Sequence, residues 1–266
     1  MYLSDREPTL MNKIAVEQAF SKAAKTYDQH AAFQRQVGQL LMNKLPRDLS
    51  GLEVLDLGCG TGYFTELLAL RGAKVTAFDL SEAMLIECQS RCANLSVNYV
   101  KGDAERLPFE AHSFDLIFSS LAMQWCTQLD GLMSSLVRVL KPQGQLVYST
   151  LLDGSLIELQ MAWQQVDSHS QHVNQFHLIE KLESAVAQSG AKDAQFNTIE
   201  ITLWYTSAMA LMKDLKGIGA THVSGRSHGL TKPKSLLQVD RAYQRFKTPH
   251  GELPATYQVC LGEVTK

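Results

Sequence analysis

The sequence predicts an α/β fold: a seven-stranded, mostly parallel sheet with helices ahead of it and a helical insertion over its carboxyl edge. Three observations carry the prediction. Apolar strands and amphipathic helices alternate from Glu53 to Leu151, the pattern of right-handed βαβ units. The turn Gly58-Cys59-Gly60-Thr61-Gly62 joins the first strand to its helix, where glycines let a ligand approach the backbone and free helix N–H groups favour an anion. After Thr150 the alternation breaks for two helices before the last strands complete the sheet.

The elements follow in order. Ile14 to Phe20 opens a helix running towards Tyr27, and Phe33, Val37, Leu40, Leu41 and Leu45 recur at helical spacing until Pro46 stops them. Val54 to Leu57 is strand one, and Tyr63 to Arg71 its helix. Lys74 to Leu80 is strand two, and Ser81 caps the helix Glu82 to Cys92. Strand three, near Ser96 to Lys101, ends in Gly102-Asp103-Ala104, and strand four is Phe114 to Ser120. Leu129 to Leu140 is a helix, and Lys141 to Gly144 is the turn into strand five, Gln145 to Leu151. The insertion supplies helices Ser155 to Asp167 and Leu178 to Gly190 around a polar, histidine-rich loop. Strand six is Thr198 to Tyr205, followed by helix Ser207 to Leu215. Gly217, Gly219, Gly225 and Gly229 make the next stretch loop-rich, and strand seven, Thr256 to Val264, returns antiparallel. The chain therefore divides into an N-terminal helical lid (1–50), a core (51–152), the insertion (153–196) and a C-terminal part of the sheet (197–266).

Composition narrows the class. Of 266 residues 45% are hydrophobic and 20% charged, as in an ordinary soluble globule, and no run approaches the roughly 20 apolar residues that span a bilayer. Residues 1–10 lack the apolar core of a signal peptide. Five cysteines with no C-x-x-C read as reduced thiols of a cytoplasmic protein. Asp167, His169, His172 and His177 match no tight zinc spacing, so a solvated loop and no metal is the expectation. Net charge is −2, yet Lys213 to Lys247 holds eight basic residues against two acids, net +6, which leaves −8 elsewhere. That segment, with Arg241 and Arg245, is either a docking face for an acidic macromolecule or merely a solvated surface.

The turn excludes a dinucleotide fingerprint, because Tyr63 stands where G-x-G-x-x-G needs its last glycine. Asp56, two residues before G-x-G-x-G, instead resembles motif I of class I S-adenosylmethionine-dependent methyltransferases, which are Rossmann-like. Three further strand ends match in order. Asp79 closes strand two about 20 residues on, where a carboxylate accepts both ribose hydroxyls, with Leu80 beside it. The resemblance places Asp103, next to Ala104, against the adenine amino group, and the strand-four motif around Ser119 beside the methyl group. Met84, just after the ribose acid, sits at an apolar helical position and is read as core or as packing on adenine. Gly58, Gly60 and the backbone N–H of Cys59 lie where the cofactor's carboxylate end sits. The same resemblance has Tyr27, on the N-terminal helix, close over the sulfonium and methionine part of the cofactor; the alternative is a helix that merely packs on the sheet edge.

The likeness then narrows. Phe20…Ala23-Ala24…Tyr27…His30…Gln34-Arg35-Gln36, Leu121-Ala122-Met123-Gln124-Trp125-Cys126 and Leu215-Lys216-Gly217-Ile218-Gly219-Ala220-Thr221-His222 resemble the malonyl-acyl carrier protein O-methyltransferases of biotin synthesis. The likeness covers nearly the whole chain; residues 1–12 and about 224–255 look idiosyncratic. It implies methylation of the free carboxyl of a malonyl thioester on acyl carrier protein, with S-adenosyl-L-homocysteine as the other product and no metal. An acid of pKa near 4 is already anionic at neutral pH, so no general base is expected, and alignment with desolvation is the catalysis. Lys216 and His222 are the acyl-pocket candidates, Trp125 its wall, and the acidic carrier suits the basic segment. A methyltransferase of a free small carboxylate or phenol is the alternative. A non-catalytic cofactor binder is disfavoured because Asp56, Asp79 and Asp103 are all present. A nucleic-acid methyltransferase is disfavoured by overall acidity and the lack of an N/D-P-P-Y/F motif.

Overall fold

The computed structural model describes residues 12–220 and 233–266. Its centre is a seven-stranded sheet with strand order β3-β2-β1-β4-β5-β7-β6. The strands are β1 (Glu53–Leu57), β2 (Lys74–Asp79), β3 (Val97–Lys101), β4 (Phe114–Ser120), β5 (Leu140–Leu151), β6 (Asp193–Tyr205) and β7 (Leu253–Thr265). The first five run parallel, while β7 lies antiparallel between β5 and β6. Strand order reverses between β1 and β4, and that switch opens a crevice at their carboxyl ends, where open α/β sheets bind ligands.

Burial explains the central strands. Four of the five residues of β1 are buried, the continuous apolar run of a strand covered on both faces. One face packs under α3 (Ala32–Met42), α7 (Ile157–Val166) and α10 (Pro233–Tyr243), through Val37, Leu41, Leu159 and Val239. The other packs under α6 (Leu129–Val139) and α8 (Ile179–Gln188), through Leu132, Leu136 and Leu182. The remaining helices are α1 (Lys13–Ala23), α2 (Tyr27–His30), α4 (Tyr63–Leu70), α5 (Glu82–Arg91) and α9 (Ala208–Gly217). Caps fix where several begin. Asn12 accepts the N–H of Ala15, Ser81 that of Met84 and Ser207 that of Ala210. Among the described residues no helix is long and apolar enough to cross a membrane.

Three expectations need correction. The stretch after Gly219 is not loop throughout, since Pro233 starts α10, where its missing N–H costs nothing. Val239 and Tyr243 are buried on that helix, the Tyr243 hydroxyl donates to the Pro254 carbonyl at 2.7 Å, and Asp240 accepts the N–H of Ala208 at 2.9 Å. Strands six and seven pair over their full 13 residues, from Asp193↔Thr265 to Tyr205↔Leu253. Lys141 to Gly144 belong to β5, with a register irregularity between Phe114 and Leu116 absorbing the turn.

Candidate functional site

The first turn after β1 is held open by its glycines. Gly60 has φ +54°, and a Cβ there would meet no atom within 4 Å, so its Cα faces open space. Gly62, at φ +82°, caps α4 in the left-handed region, and a Cβ would strike the Cys88 sulfur at 2.5 Å. The loop is pinned from β2. The Phe78 carbonyl accepts the N–H groups of Gly58 and Cys59, and Asp79 Oδ2 accepts that of Gly60 at 2.9 Å. Asp79 Oδ1 accepts the N–H of Ser81 at 2.8 Å, which fixes both carboxylate oxygens at the end of β2.

Beside this turn lies a cavity of about 690 Å³, open solvent included. Asp79, Leu80, Met84, Asp103 and Ala104 line it with Gly58 and Gly60. A smaller cavity of about 470 Å³ continues under the loop, past Asp56, Cys59, Thr61 and Arg35. Asp56 is buried and accepts a 2.6 Å hydrogen bond from Thr65 Oγ1, yet burial outweighs that bond and pushes its carboxyl up to about 7. Burial likewise raises Asp79, against the hydrogen bonds from Ser81 and Gly60. A loop whose Gly60 faces open space, with carboxylates held at successive strand ends, suits a nucleoside bearing a positive charge.

The N-terminal helices cover this space. Lys13 Nζ reaches Glu105 at 2.6 Å and Asp103 at 3.3 Å, Glu17 pairs with Lys101 at 2.8 Å, and the Ser21 and Ser81 hydroxyls meet at 2.8 Å. On α2, Asp28 accepts from Thr61 Oγ1 at 2.8 Å and pairs with Arg91. His30 bonds Asp214 on α9 at 2.7 Å. Val16, Phe20 and Tyr27 are thereby set against the cofactor-side cavity.

A third cavity, about 730 Å³ with open solvent included, lies under the insertion. Its wall is mostly apolar: Phe33, Leu151, Leu159, Val173, Phe176 and Ile218 all contribute. Phe20, Tyr27, Leu121 and Trp125 line both this cavity and the cofactor-side one. Trp125 meets the Phe20 ring edge-on at 5.2 Å. Tyr27 lines all three cavities, and burial raises its hydroxyl so that it stays protonated.

Not every expected residue takes the expected place. Ser119 is buried and donates to the Leu57 carbonyl at 2.9 Å; its neighbour Ser120 lines the cavities instead, because successive strand residues face opposite ways. The Cys59 N–H is spent on the Phe78 carbonyl and is not available to a ligand. Lys216 is exposed and lines none of the cavities, whereas Leu215, Ile218 and Ala220 reach the third. His222 lies outside the described residues. Arg241 and Arg245 are exposed, the latter over the Phe246 ring at 4.5 Å. The histidine loop is less solvated than expected: His172 stacks on Trp163 with centroids 3.8 Å apart and bonds Asp167 at 2.9 Å, while His177 bonds the Cys126 carbonyl at 3.1 Å. Among the described residues no group of three or more His, Cys, Asp or Glu is placed to hold a metal ion. Sequence reasoning missed Phe176 and Tyr257, aromatics of the third cavity, whose only signal was alternation along β7 for Tyr257 and none for Phe176.

Comparison with known proteins accords with this geometry. Residues 55–148 match the methyltransferase domain family. The malonyl-[acyl-carrier protein] O-methyltransferase of Serratia marcescens is 41% identical over 255 residues, covering 96% of each chain. The chain belongs to that family. The biotin biosynthesis bifunctional protein of Cellvibrio japonicus is 44% identical over 94% of this chain, which spans only half of that longer protein. Among solved structures, YcgJ of Bacillus subtilis superposes with TM-score 0.63 at 15% identity, covering 87% of this chain and 98% of that one. Phosphoethanolamine N-methyltransferase 2 of Haemonchus contortus superposes with TM-score 0.61 at 17% identity, covering 97% of this chain and 60% of that one. The fold of this O-methyltransferase is thus Rossmann-like, and a second solved form of the Haemonchus enzyme, superposing with TM-score 0.59 at 18% identity, is a complex with S-adenosyl-L-methionine.

Proposed function

We propose that this enzyme methylates the free carboxyl of a malonyl thioester on acyl carrier protein, an early step of biotin synthesis, in the cytoplasm. The observation that carries the reading is the junction, at Phe20, Tyr27, Leu121 and Trp125, of the cavity beside the glycine turn with the cavity under the insertion. Asp79 and Asp103 edge the first, and the second is walled mostly by apolar side chains with no carboxylate among them. A mostly apolar wall favours an acyl thioester with its pantetheine arm over a small, doubly charged free acid. Asp79 would hold the ribose, Asp103 and Met84 the adenine, and Asp56 the region of the cofactor's ammonium. When bound, S-adenosylmethionine supplies an electrophilic methyl group on a positive sulfonium.

The residues at the junction have a modest task. The substrate carboxylate is anionic without help, and the charge of the pair falls as the methyl moves, so exclusion of water favours transfer. Phe20, Leu121 and Trp125 exclude that water, and the protonated Tyr27 hydroxyl donates without removing a proton. His172, the titratable base in the acyl wall, is committed to Asp167. Alignment and desolvation are therefore the catalysis, with residues 1–50 as the lid, 51–152 the cofactor core, 153–196 the acyl roof and 197–266 the remaining sheet and docking side. Mass spectrometry of malonyl-carrier protein incubated with enzyme and S-adenosylmethionine should reveal the gain of one methyl group. Methylation of free malonate at equal efficiency would overturn the reading.

A further inference from the structure

Tyr27 and Gln34 are the residues, among those described, that line both the acyl cavity and the cavity beneath the glycine loop. Gln34 stands in the first turn of α3, flanked at the same walls by Ala31 and Phe33, and that turn contains no carboxylate. Its amide oxygen is buried with no hydrogen-bond partner. Native interiors seldom leave such a group unsatisfied, and the exceptions concentrate where a ligand completes the set. Three other polar side chains nearby are already engaged. Gln124 donates to the Leu121 carbonyl at 2.7 Å, Arg35 donates to the Asp28 carbonyl at 2.9 Å and leans on the Tyr63 ring, and His172 is held by Asp167.

We propose that the Gln34 carboxamide binds the substrate's free carboxylate and aims one of its oxygens at the methyl group. The inference rests on the function proposed above and names the anchor that function needs. The NH₂, unlike the enclosed oxygen, is not shut away from the cavities, so it can meet the carboxylate without a change of rotamer. A neutral donor suits this reaction. It orients a carboxylate through one N–H···O⁻ bond, which is stronger than a neutral pair, yet leaves the second oxygen's charge for the displacement. A lysine or arginine in that place would hold the anion more tightly in the ground state than in the transition state, where its charge is vanishing, and would slow the step. The start of α3 adds a weak positive field in the same direction. Once the methyl ester forms, the charge-assisted part of the bond is lost, which favours release.

Gln34→Glu places a like charge against the substrate. It should lower kcat/KM for malonyl-carrier protein about 100-fold, the scale of an unfavourable like-charge contact. Gln34→Met, which keeps the shape and loses the donor, should lower it about 10-fold. Calorimetry should find the Kd for S-adenosylmethionine changed less than about twofold in both, which also shows that the variants fold. The decisive comparison is inhibition by malonyl-pantetheine against its methyl ester. Gln34→Glu should lose the anion and retain the ester. Equal loss of both, or a cofactor Kd that shifts in step with kcat/KM, overturns the proposal and assigns Gln34 to packing or to the cofactor's ammonium. If the unaltered enzyme fails to methylate malonyl-carrier protein, the functional reading falls and takes the anchor with it. If it methylates while Gln34→Glu is unimpaired, the anchor alone falls.

Discussion

Around the crevice between β1 and β4, backbone and carboxylate edge a wall that also holds apolar side chains such as Leu80 and Met84, with Gly58, Gly60, Asp79 and Asp103 at or just beyond strand ends. The acyl cavity is walled instead by side chains gathered from distant places: Phe20 on α1, Phe33 on α3, Leu159 on α7, Ile218 after α9 and Tyr257 on β7. The two regions meet at Tyr27 and Trp125 but are made by different rules. A nucleoside is held by hydrogen bonds whose donors and acceptors the chain must supply at fixed backbone positions. An apolar chamber needs only surfaces of suitable shape, and any element that crosses it can provide them. The first region is therefore sensitive to single atoms and the second to volume.

The sharpest way to break this contrast is to remove the carboxylate that ties the glycine loop to β2. Asp79→Ala should weaken S-adenosylmethionine binding by about 1.5–3 kcal/mol, the scale of hydrogen bonds to a charged group. The loss has two sources, the ribose contact and the freed Gly60 N–H. Calorimetry measures it directly. An unchanged Kd would mean that the cofactor half is held by shape, as the acyl half is.

That contrast also sets what was legible in the sequence. Asp56, Gly58, Gly60, Asp79 and Asp103 declared themselves because a turn that admits a ligand requires glycine and acid at fixed offsets from a strand. The sheet through β5 was equally plain from alternation. Ser119 was misplaced by one residue because the motif marks a strand end, while the pleat decides which of two serines faces the cavity. Phe176 carried no local signal and Tyr257 only the alternation of β7, since an aromatic lining a chamber looks like any core aromatic. Helix α10 was hidden by the glycines before it, although Leu236, Val239 and Tyr243 keep helical spacing and Pro233 opens it.

A second test uses proton linkage, because the cofactor half buries carboxylates that the acyl half lacks. Asp56 has its carboxyl raised to about 7, above the unfolded value of about 3.9. The folded protein then holds more protons than the unfolded chain between those values. Its contribution to stability is full below about pH 4, falls as pH rises towards 7 and is gone above that, at a slope of at most about 1.4 kcal/mol per pH unit. Asp56→Asn keeps an acceptor for Thr65 and removes the titration. The cofactor-free variant should therefore melt several degrees above the parent at pH 8, a shift of the size that a few kcal/mol produces. The advantage should shrink steadily towards pH 4. A pH-independent difference in Tm would place the buried acid's cost elsewhere.

The smallest expected effect lies outside both cavities. Arg241 and Arg245 are exposed on α10 and the turn after it, within a segment of net +6 on a chain of net −2. Neither reaches a cavity wall, so their influence on the reaction has to run through encounter with the carrier. Surface charges steer an oppositely charged partner over about 8 Å at physiological salt, which alters association more than chemistry. Reversing both to Glu should raise KM for malonyl-carrier protein severalfold at low salt, and the penalty should fade as salt rises. Because α10 packs on α7 through its buried Val239 face, the exposed arginines can change without disturbing the acyl roof. The kcat, the cofactor Kd and the KM for malonyl-pantetheine should then stay close to those of the parent. If the small thioester suffers as much as the carrier, the segment shapes the acyl cavity, and the division between a docking face and an apolar chamber fails. If neither suffers, the arginines are solvated surface and the carrier approaches from another side.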